Sequence, residues 1–423
     1  MPDEVHDEIS VEVSGVMPCD VIIVRYDEIA LKSPPVRGRF EKMLVNRIKT
    51  ALLQHDVSYS GITREWGRIF VHTDDVRGAD VIARVFGTAS TSPAVTTGAT
   101  IDAVAETASQ ISKTLALVRD GESFAIRASR SGVHDFTSID VGRVCGDAVS
   151  RCAPGARVDL TNPDREIFVD MRQNHAYVYT KRVAGAGGLP YGSQGKMIAL
   201  MSGGIDSPVA AWMMMKRGAE IVPLYCDLEE FGDPASVKLA RENVNRLKSW
   251  SYADMKAYTV PYGSCLRAIR EHCNPRTTCV VCRRMMYRIG AAVAEREDAC
   301  GIITGSSLGQ VASQTARNMF AEMHGSDIPI YHPLIGLDKR EIIDRAIKIG
   351  TFPQASPAVE CMAVPDRPGT AVSRSLVEAS EERLDVAGIV ADAIGGSTCS
   401  VAALMTELFG QAGQNPGDAS CNQ

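Results

Sequence analysis

Residues 202–207, Ser-Gly-Gly-Ile-Asp-Ser, lie between an apolar run and a helical stretch, and no other feature limits so sharply what this chain can become. The preceding run, 197–201, reads as a buried strand, and Pro208 suits a first helical turn, where its missing N–H costs nothing. Gly203 and Gly204 let the backbone approach an anion closely, and the unpaired amides of the helix start then face it. Ser202 and Ser207 add hydroxyl donors around Ile205. Asp206 is out of place in an anion site unless it holds a Mg²⁺ that bridges phosphates. No Gly-Lys-Ser/Thr is present, which disfavours a γ-phosphate-transferring P-loop. A bland strand-to-helix turn explains Gly-Gly alone but not the full set of six. The chemistry indicated is binding of the pyrophosphate portion of a nucleotide, and hence adenylation.

At 423 residues the chain has room for roughly three domains. Residues 21–24 and 68–71 read as strands, and 40–53 and 79–86 as helices, predicting a small α+β unit. A second unit, about 90–183, has helical patterns at 103–117 and 141–151 and strand patterns at 123–128, 166–171 and 176–180. The Gly-rich stretch 184–195 reads as a linker. Beyond it, short apolar runs at 197–201, 221–225, 255–260 and 301–304 alternate with helical stretches. That alternation predicts a doubly wound parallel α/β domain. One helix is fully punctuated: Asp338 and Glu341 form a capping box, Ile342, Ile343, Ala346 and Ile347 a stripe, and Gly350 a stop. The chain after about 373 predicts at least one helix and a polar end, 411–423.

The net charge of −6 gives no global attraction to a polyanion, so any nucleic-acid contact must be local. No run of about 18 apolar residues exists, which argues against a membrane span, and the acidic leader is unlike a secretory signal. Twelve cysteines without small-scaffold spacing suit a reducing, cytoplasmic location.

Further strings share the neighbourhood of the loop. These are Gly187-Gly-Leu-Pro190, Gln194-Gly-Lys196, Cys282-Arg-Arg-Met-Met286, Thr304-Gly-Ser-Ser-Leu-Gly-Gln-Val-Ala-Ser-Gln-Thr315 and Pro333-Leu-Ile-Gly336. With the loop they resemble the tRNA 4-thiouridine synthetase (tRNA sulfurtransferase) family of PP-loop ATP pyrophosphatases, from about residue 20 to 372. The resemblance implies ATP contacts at Leu200, Met201, Tyr225, Cys226, Arg283, Gly305 and Gln314, beside the loop residues themselves. Arg283 also fits on charge, since a guanidinium offsets phosphate; for Tyr225 and Cys226 a plain strand-end role competes. The organisation it implies is a leader (1–18), a ferredoxin-like domain (19–79), a THUMP domain (80–183), a linker (184–196), a PP-loop domain (197–372) and a helical tail (373–423).

Cys279-Val-Val-Cys282 opens a helical stretch, and Cys361 lies far downstream. Alone, a Cys-x-x-Cys reads as metal ligands, a redox pair or chance. A structural zinc wants a fourth ligand, for which His272 and Cys273 are available, but neither completes a second Cys-x-x-Cys. Three thiolates can instead hold a [4Fe-4S] cluster with one open iron. Many bacterial members carry a rhodanese domain whose persulfide is delivered with a disulfide to the position of Cys361; about 50 residues after the match are too few for one. The resemblance to members without rhodanese implies a cluster on Cys279, Cys282 and Cys361. The rival is Cys361 as persulfide carrier, resolved by one of the pair.

Arg25-Tyr-Asp-Glu-Ile-Ala-Leu-Lys32 and Arg37-Gly-Arg-Phe40 resemble the opening of the same family, with Asp27 and Ser33 where Gly is usual. Phe124-Ala-Ile-Arg-Ala-Ser-Arg-Ser-Gly132 resembles a THUMP segment, and Arg127 and Arg130 are read as sharing one face of a strand-to-turn region. Lys32, Arg37, Arg127 and Arg130 are thus candidate RNA contacts; a solvated edge with ordinary arginines is the alternative. The implied function is 4-thiolation of uridine at position 8 of tRNA, with Asp206, Cys279, Cys282 and Cys361 as catalytic groups. It implies ATP, Mg²⁺, a sulfur donor (sulfide or a persulfide-carrying protein) and a homodimer. Alternatives are sulfur supply to thiamine biosynthesis, another tRNA position, or a non-catalytic RNA binder.

Overall fold

The computed structural model describes residues 17–353 and 361–400. The expected leader falls almost wholly outside the described residues, as do 401–423 with Cys421. By its contacts the chain divides into two compact units, Met1–Gly187 and Gly188–Gln423.

The first unit runs β1 (Val21–Arg25), α1 (Pro34–Gln54), β2 (Gly61–Glu65), β3 (Arg68–His72), α2 (Arg77–Ala83) and β4 (Ser90–Gly98). It continues through α3 (Ile101–Thr114), β5 (Ser123–Arg130), α4 (Ser138–Ser150), β6 (Arg157–Val158), β7 (Arg165–Met171), β8 (His175–Tyr179) and β9 (Val183–Ala184). The strands order as β2-β3-β1-β4-β8-β7-β5-β6, with β9 on β4. β4 is the longest of the strands the residue pattern missed, beside β2, β6 and β9. Its Ser90-Thr-Ser-Pro opening lacks β-forming alternation, yet it pairs antiparallel with both β1 and β8. α4 starts on a capping box in which Thr137 and Asp140 exchange side-chain and backbone bonds.

The second unit comprises β10 (Lys196–Met201), α5 (Asp206–Lys216), β11 (Glu220–Asp227), α6 (Pro234–Ser251), β12 (Ala257–Pro261), α7 (Gly263–His272), α8 (Thr278–Glu297) and β13 (Ala299–Ile303). It continues with α9 (Ala316–Met323), β14 (Ile330–Tyr331), α10 (Lys339–Ile349), α11 (Arg374–Glu381), α12 (Val386–Gly395) and β15 (Thr398–Ser400). The strand order is β14-β13-β10-β11-β12-β15. β10 through β14 are parallel, and β15 closes the β12 edge antiparallel. Their apolar runs are continuous because helices cover both faces, α5, α6 and α10 on one side and α7, α8 and α12 on the other. α10 carries the capping box on Asp338 and Glu341 and ends on Gly350 at φ 77°, as its residues predicted. The order turns back between β10 and β13, so their carboxyl ends open a crevice at the point where α/β sheets take ligands.

Candidate functional site

The crevice at the carboxyl ends of β10, β11 and β13 is a cleft of about 440 Å³, within the range of nucleotide-sized sites. The register sets Met201 beside Tyr225, so both strand ends reach it together. Leu200, Met201, Ser202, Gly203, Gly204, Asp206, Ser207, Tyr225, Cys226, Arg283, Gly305 and Gln314 all line this one cleft, as do Cys279, Cys282 and Cys361. Ile205 does not line it; it occupies the position before α5, with helical backbone angles and no capping side chain.

The loop is held by its own hydroxyls. Ser207 Oγ accepts from Ser202 N (2.9 Å) and lies 3.0 Å from Ser202 Oγ, which accepts from Gly204 N (3.3 Å). Asn243 on α6, which the sequence did not single out, donates Nδ2 to the carbonyls of Ser202 and Gly204, both at 3.3 Å. Neither Gly203 nor Gly204 has a positive φ, so their smallness serves close approach. A Cβ on Gly305 would lie 2.7 Å from Ser207 N and 2.8 Å from Asp206 C, all backbone. A Cβ on Gly204 meets nothing nearer than Ser202 Oγ at 3.5 Å. Gly305→Ala is therefore expected to destabilise the protein by about 1–3 kcal/mol, as overpacking does, while Gly204→Ala leaves the fold unchanged. Thermal melts of the two variants check this; equal losses would mean that the Gly305 approach does not hold the loop.

Asp206, in the first turn of α5, takes three bonds. Lys339 Nζ reaches both carboxylate oxygens (2.8 and 3.2 Å), and Gln310 Nε2 donates to one (3.0 Å). Lys339 is the first residue of α10, where the helix dipole disfavours a cation. That misplaced charge beside a capping box is the one sequence signal that marks Lys339. As it stands, a cation on Asp206 must displace an ammonium.

Across the cleft, α8 carries Cys279, Cys282 and Arg283. Arg283 Nη1 donates to Ser306 Oγ (2.6 Å), and the Gln314 amide, oriented to donate to Ser307 O (2.7 Å), accepts from Arg283 Nη2 (3.2 Å). Ser306 Oγ also accepts from Thr304 Oγ1 (3.0 Å), itself 2.7 Å from His332 Nδ1. Burial, and then the Arg283 charge, lowers the His332 pKa to about 4, so its ring is neutral near pH 7. Burial raises the Cys282 thiol far above its ordinary value, and Tyr262 OH donates to Cys282 O at 2.7 Å. Burial likewise raises Cys226 and Tyr225 each to about 12. Among the described residues, no three His, Cys, Asp or Glu side chains are grouped closely enough to hold a metal ion.

The RNA-contact candidates lie on the first unit. Lys32 precedes α1, and Arg37 lies in its early turns, both half-buried. Arg127 and Arg130 do not share a face. β5 extends unbroken to Arg130, and three residues along a strand point to opposite sides. Arg127 is tied to its neighbours, donating Nε to Glu166 Oε1 (2.6 Å) and Nη1 to Leu160 O (2.9 Å), while Arg130 is exposed. The structure adds a cleft of about 890 Å³ lined by Arg127, Arg165, Phe168, Lys181 and Arg182. There Arg182 lies over Phe168 (5.2 Å), whose ring stacks on Tyr179 (5.1 Å).

A parallel α/β sheet with a Gly-Gly loop at its switch point is the arrangement of a nucleotide-binding enzyme, and here three thiols line the cleft that the loop opens. Family models match in three blocks: "ThiI ferredoxin-like domain" over 21–92, "THUMP domain" over 98–181 and "Thiamine biosynthesis protein (ThiI)" over 192–386. The chain is 50% identical over 381 residues to a Methanosarcina mazei protein named "Probable tRNA sulfurtransferase", covering 89% of this chain and 94% of that one. It is 38% identical to the "tRNA sulfurtransferase" of Pyrobaculum aerophilum, over 85% of this chain and 73% of the other. A solved 4-thiouridine synthetase–RNA complex with bound ATP matches at TM-score 0.80 and 27% identity, over 90% of this chain and 99% of that one. The chain belongs to the tRNA sulfurtransferase (ThiI) family.

Proposed function

We infer that this enzyme is an ATP-dependent tRNA sulfurtransferase that adenylates a uridine, position 8 in our reading, and replaces its O4 with sulfur. The observation that carries this is the convergence of the Ser202–Ser207 loop, Arg283 and three cysteines on one cleft, in a chain so close to proteins of that name. The uridine O4 attacks the α-phosphate of ATP, and pyrophosphate leaves. Loop amides, Lys339 and Arg283 stabilise the charge on the departing pyrophosphate. Sulfur then attacks C4 and expels AMP, a far better leaving group than the pyrimidine oxygen it replaced.

Mg²⁺ would be held by Asp206, with Lys339 passing to the phosphates. Cys279, Cys282 and Cys361 are the donor set for an iron–sulfur cluster. In their present arrangement they do not form a metal-binding group. With free sulfide as donor the second step needs no reductant. With a persulfide on Cys361, attack on C4 leaves a Cys361–S–S–C4 bond. Cys279 or Cys282, both held as thiols by burial, must give up its proton to attack the Cys361 sulfur, releasing thiouridine and forming a disulfide that an external thiol must reduce. The arginine- and aromatic-bearing cleft of the first unit, together with Lys32, Arg37 and Arg130, is the proposed tRNA contact. No helix among the described residues is long and apolar enough to cross a membrane; cytoplasmic location and a homodimer are proposals.

Incubation with MgATP, sulfide and unmodified tRNA is expected to yield AMP, pyrophosphate and the near-ultraviolet absorbance of 4-thiouridine. AMP without thiolated RNA would redirect the sulfur to another acceptor, such as a thiamine precursor. Absence of ATP turnover would leave an RNA-binding protein. Iron and zinc assays on anaerobically purified protein test the cluster, and zinc without iron removes it.

A further inference from the structure

Helix α8 presents arginines to two buried carboxylates, and the two are treated differently. Glu381 on α11 receives Arg284 through both oxygens (Nε 2.9 Å, Nη2 2.8 Å) and Arg288 Nη2 (3.0 Å). Glu322 on α9 is more deeply buried, its side chain having no exposed surface, yet Arg283 Nε comes only within 3.8 Å of Oε1. Among the described residues Oε1 accepts no hydrogen bond, and Oε2 has only the Tyr287 hydroxyl at 3.4 Å. A carboxylate in such a setting costs stability that an apolar side chain of similar volume would not. The reason the pairing is loose lies on the other side of the guanidinium. Nη1 and Nη2 are drawn forward to Ser306 and Gln314, on the loop that lines the nucleotide cleft.

We propose that Glu322 is a positioning residue: a buried counter-charge behind Arg283 that orients its guanidinium toward the cleft and leaves it free to follow the charge developing on pyrophosphate. The inference rests on reading the cleft as the ATP site. Glu322 touches no substrate itself; it acts through Arg283. A fully bidentate partner, like that of Arg284, would hold the guanidinium back, and an absent one would let it turn within the cleft.

Charged and titratable groups face Glu322 from several elements. From α8 these are Arg283 and Tyr287, with Cys279 one turn earlier and Arg284 bound to the carbonyls of Ala321 and His324. His324 and Asp327 follow on its own segment and, with Arg288 of α8, line a small cleft with Glu322. Burial raises the Glu322 carboxyl to about 7, with Arg283 and then the Tyr287 bond pulling it down. The counter-charge is thus present above about pH 7 and lost below. A folded-state pKa above the unfolded one means the native protein binds the extra proton. Stability from this group is therefore full below the ordinary Glu range and is lost as pH rises through about 7.

The test uses full-length Glu322→Gln, Glu322→Asp and Tyr287→Phe proteins. Pyrophosphate release from ATP with tRNA is followed across roughly pH 6 to 8.5, alongside thermal melts. Glu322→Gln keeps shape and removes charge. It should lower kcat about tenfold above pH 7, leave the KM for tRNA unchanged and flatten the pH limb near 7, with a melting temperature at or above wild type at about pH 8. Glu322→Asp should recover part of the rate, and Tyr287→Phe should move the limb to higher pH, since its bond favours the carboxylate. A Glu322→Gln enzyme with wild-type kcat and pH profile overturns the proposal. So does one whose rate falls only in step with its folded fraction. Wild-type protein that releases no pyrophosphate removes the reading of the cleft as well, and is distinguished from the first two outcomes by the unmutated control.

Discussion

Asp206→Asn should lower pyrophosphate release by about 100- to 1,000-fold while changing the melting temperature little. The carboxylate stands at the head of α5, joined to Lys339 at 2.8 Å and Gln310 at 3.0 Å. Both members of the pair are partly exposed, 47% for Lys339 and 24% for Asp206, so the ion pair itself is worth no more than about 1 kcal/mol to folding. Its value lies in placement. Asparagine keeps the size and one acceptor oxygen but cannot neutralise a divalent cation or hold Lys339 at the loop. The loop's hydroxyl bonds between Ser202 and Ser207 do not involve Asp206 and should survive. Parallel measurement of pyrophosphate release and thermal melting decides the matter. Retention of a tenth or more of the activity would show that Asp206 is not the metal-handling group.

Cys361→Ser should abolish thiolation, by roughly 10³-fold or more, yet leave ATP cleavage on the tRNA largely intact. Cys361 enters the cleft from a segment separate from the loop, and Met362 N is bonded to Phe231 O at 3.0 Å. Downstream the segment is stapled by Asn318. Its amide donates to Gly369 O (2.7 Å) and to Ala312 O (2.8 Å), and its carbonyl accepts from Val372 N (2.9 Å). A serine at 361 disturbs none of these bonds, so a loss of sulfur transfer reports on the thiol. Thiolated tRNA and AMP are quantified in the same reaction. If both fall together, Cys361 serves nucleotide binding; if thiolation survives, the sulfur comes from elsewhere. Comparing Cys279→Ser and Cys282→Ser for reductant dependence separates persulfide resolution from cluster ligation, since loss of a ligand also removes iron.

Much of this site was legible from residues alone because its signals are local. A strand, two glycines, a proline in the first helical turn and hydroxyls at both ends of the loop are all within twelve residues, 197–208, and each acts through backbone geometry. The same holds for α10, whose cap, stripe and glycine stop are short-range features. Other features escaped. Lys339 and Gln310 are 133 and 104 residues from Asp206, and Asn243 is 41 from Ser202. No periodicity records such meetings; Gln310 and Lys339 reach Asp206 through the crossover that carries the chain from β12 back to β13 beside β10, and Asn243 reaches Ser202 through the packing of α6 against α5. β15 was equally hidden, since three residues acquire strand structure only from the β12 edge they pair with. The shared face assigned to Arg127 and Arg130 failed because the strand runs two residues further than its apolar pattern, which reverses the side of the second arginine.

Sequence alone therefore determined that a Gly-Gly loop of anion-binding type stands between a strand and a helix and that a parallel sheet carries it, while the family resemblance brought Arg283 and three cysteines to it. Only the tertiary structure decided what surrounds each of those groups: the ammonium on Asp206, the backbone that forbids a Cβ at residue 305, and the under-bonded carboxylate behind Arg283. The division has a physical cause. Backbone conformation is set by neighbours in the chain, whereas charge balance and steric exclusion are set by neighbours in space.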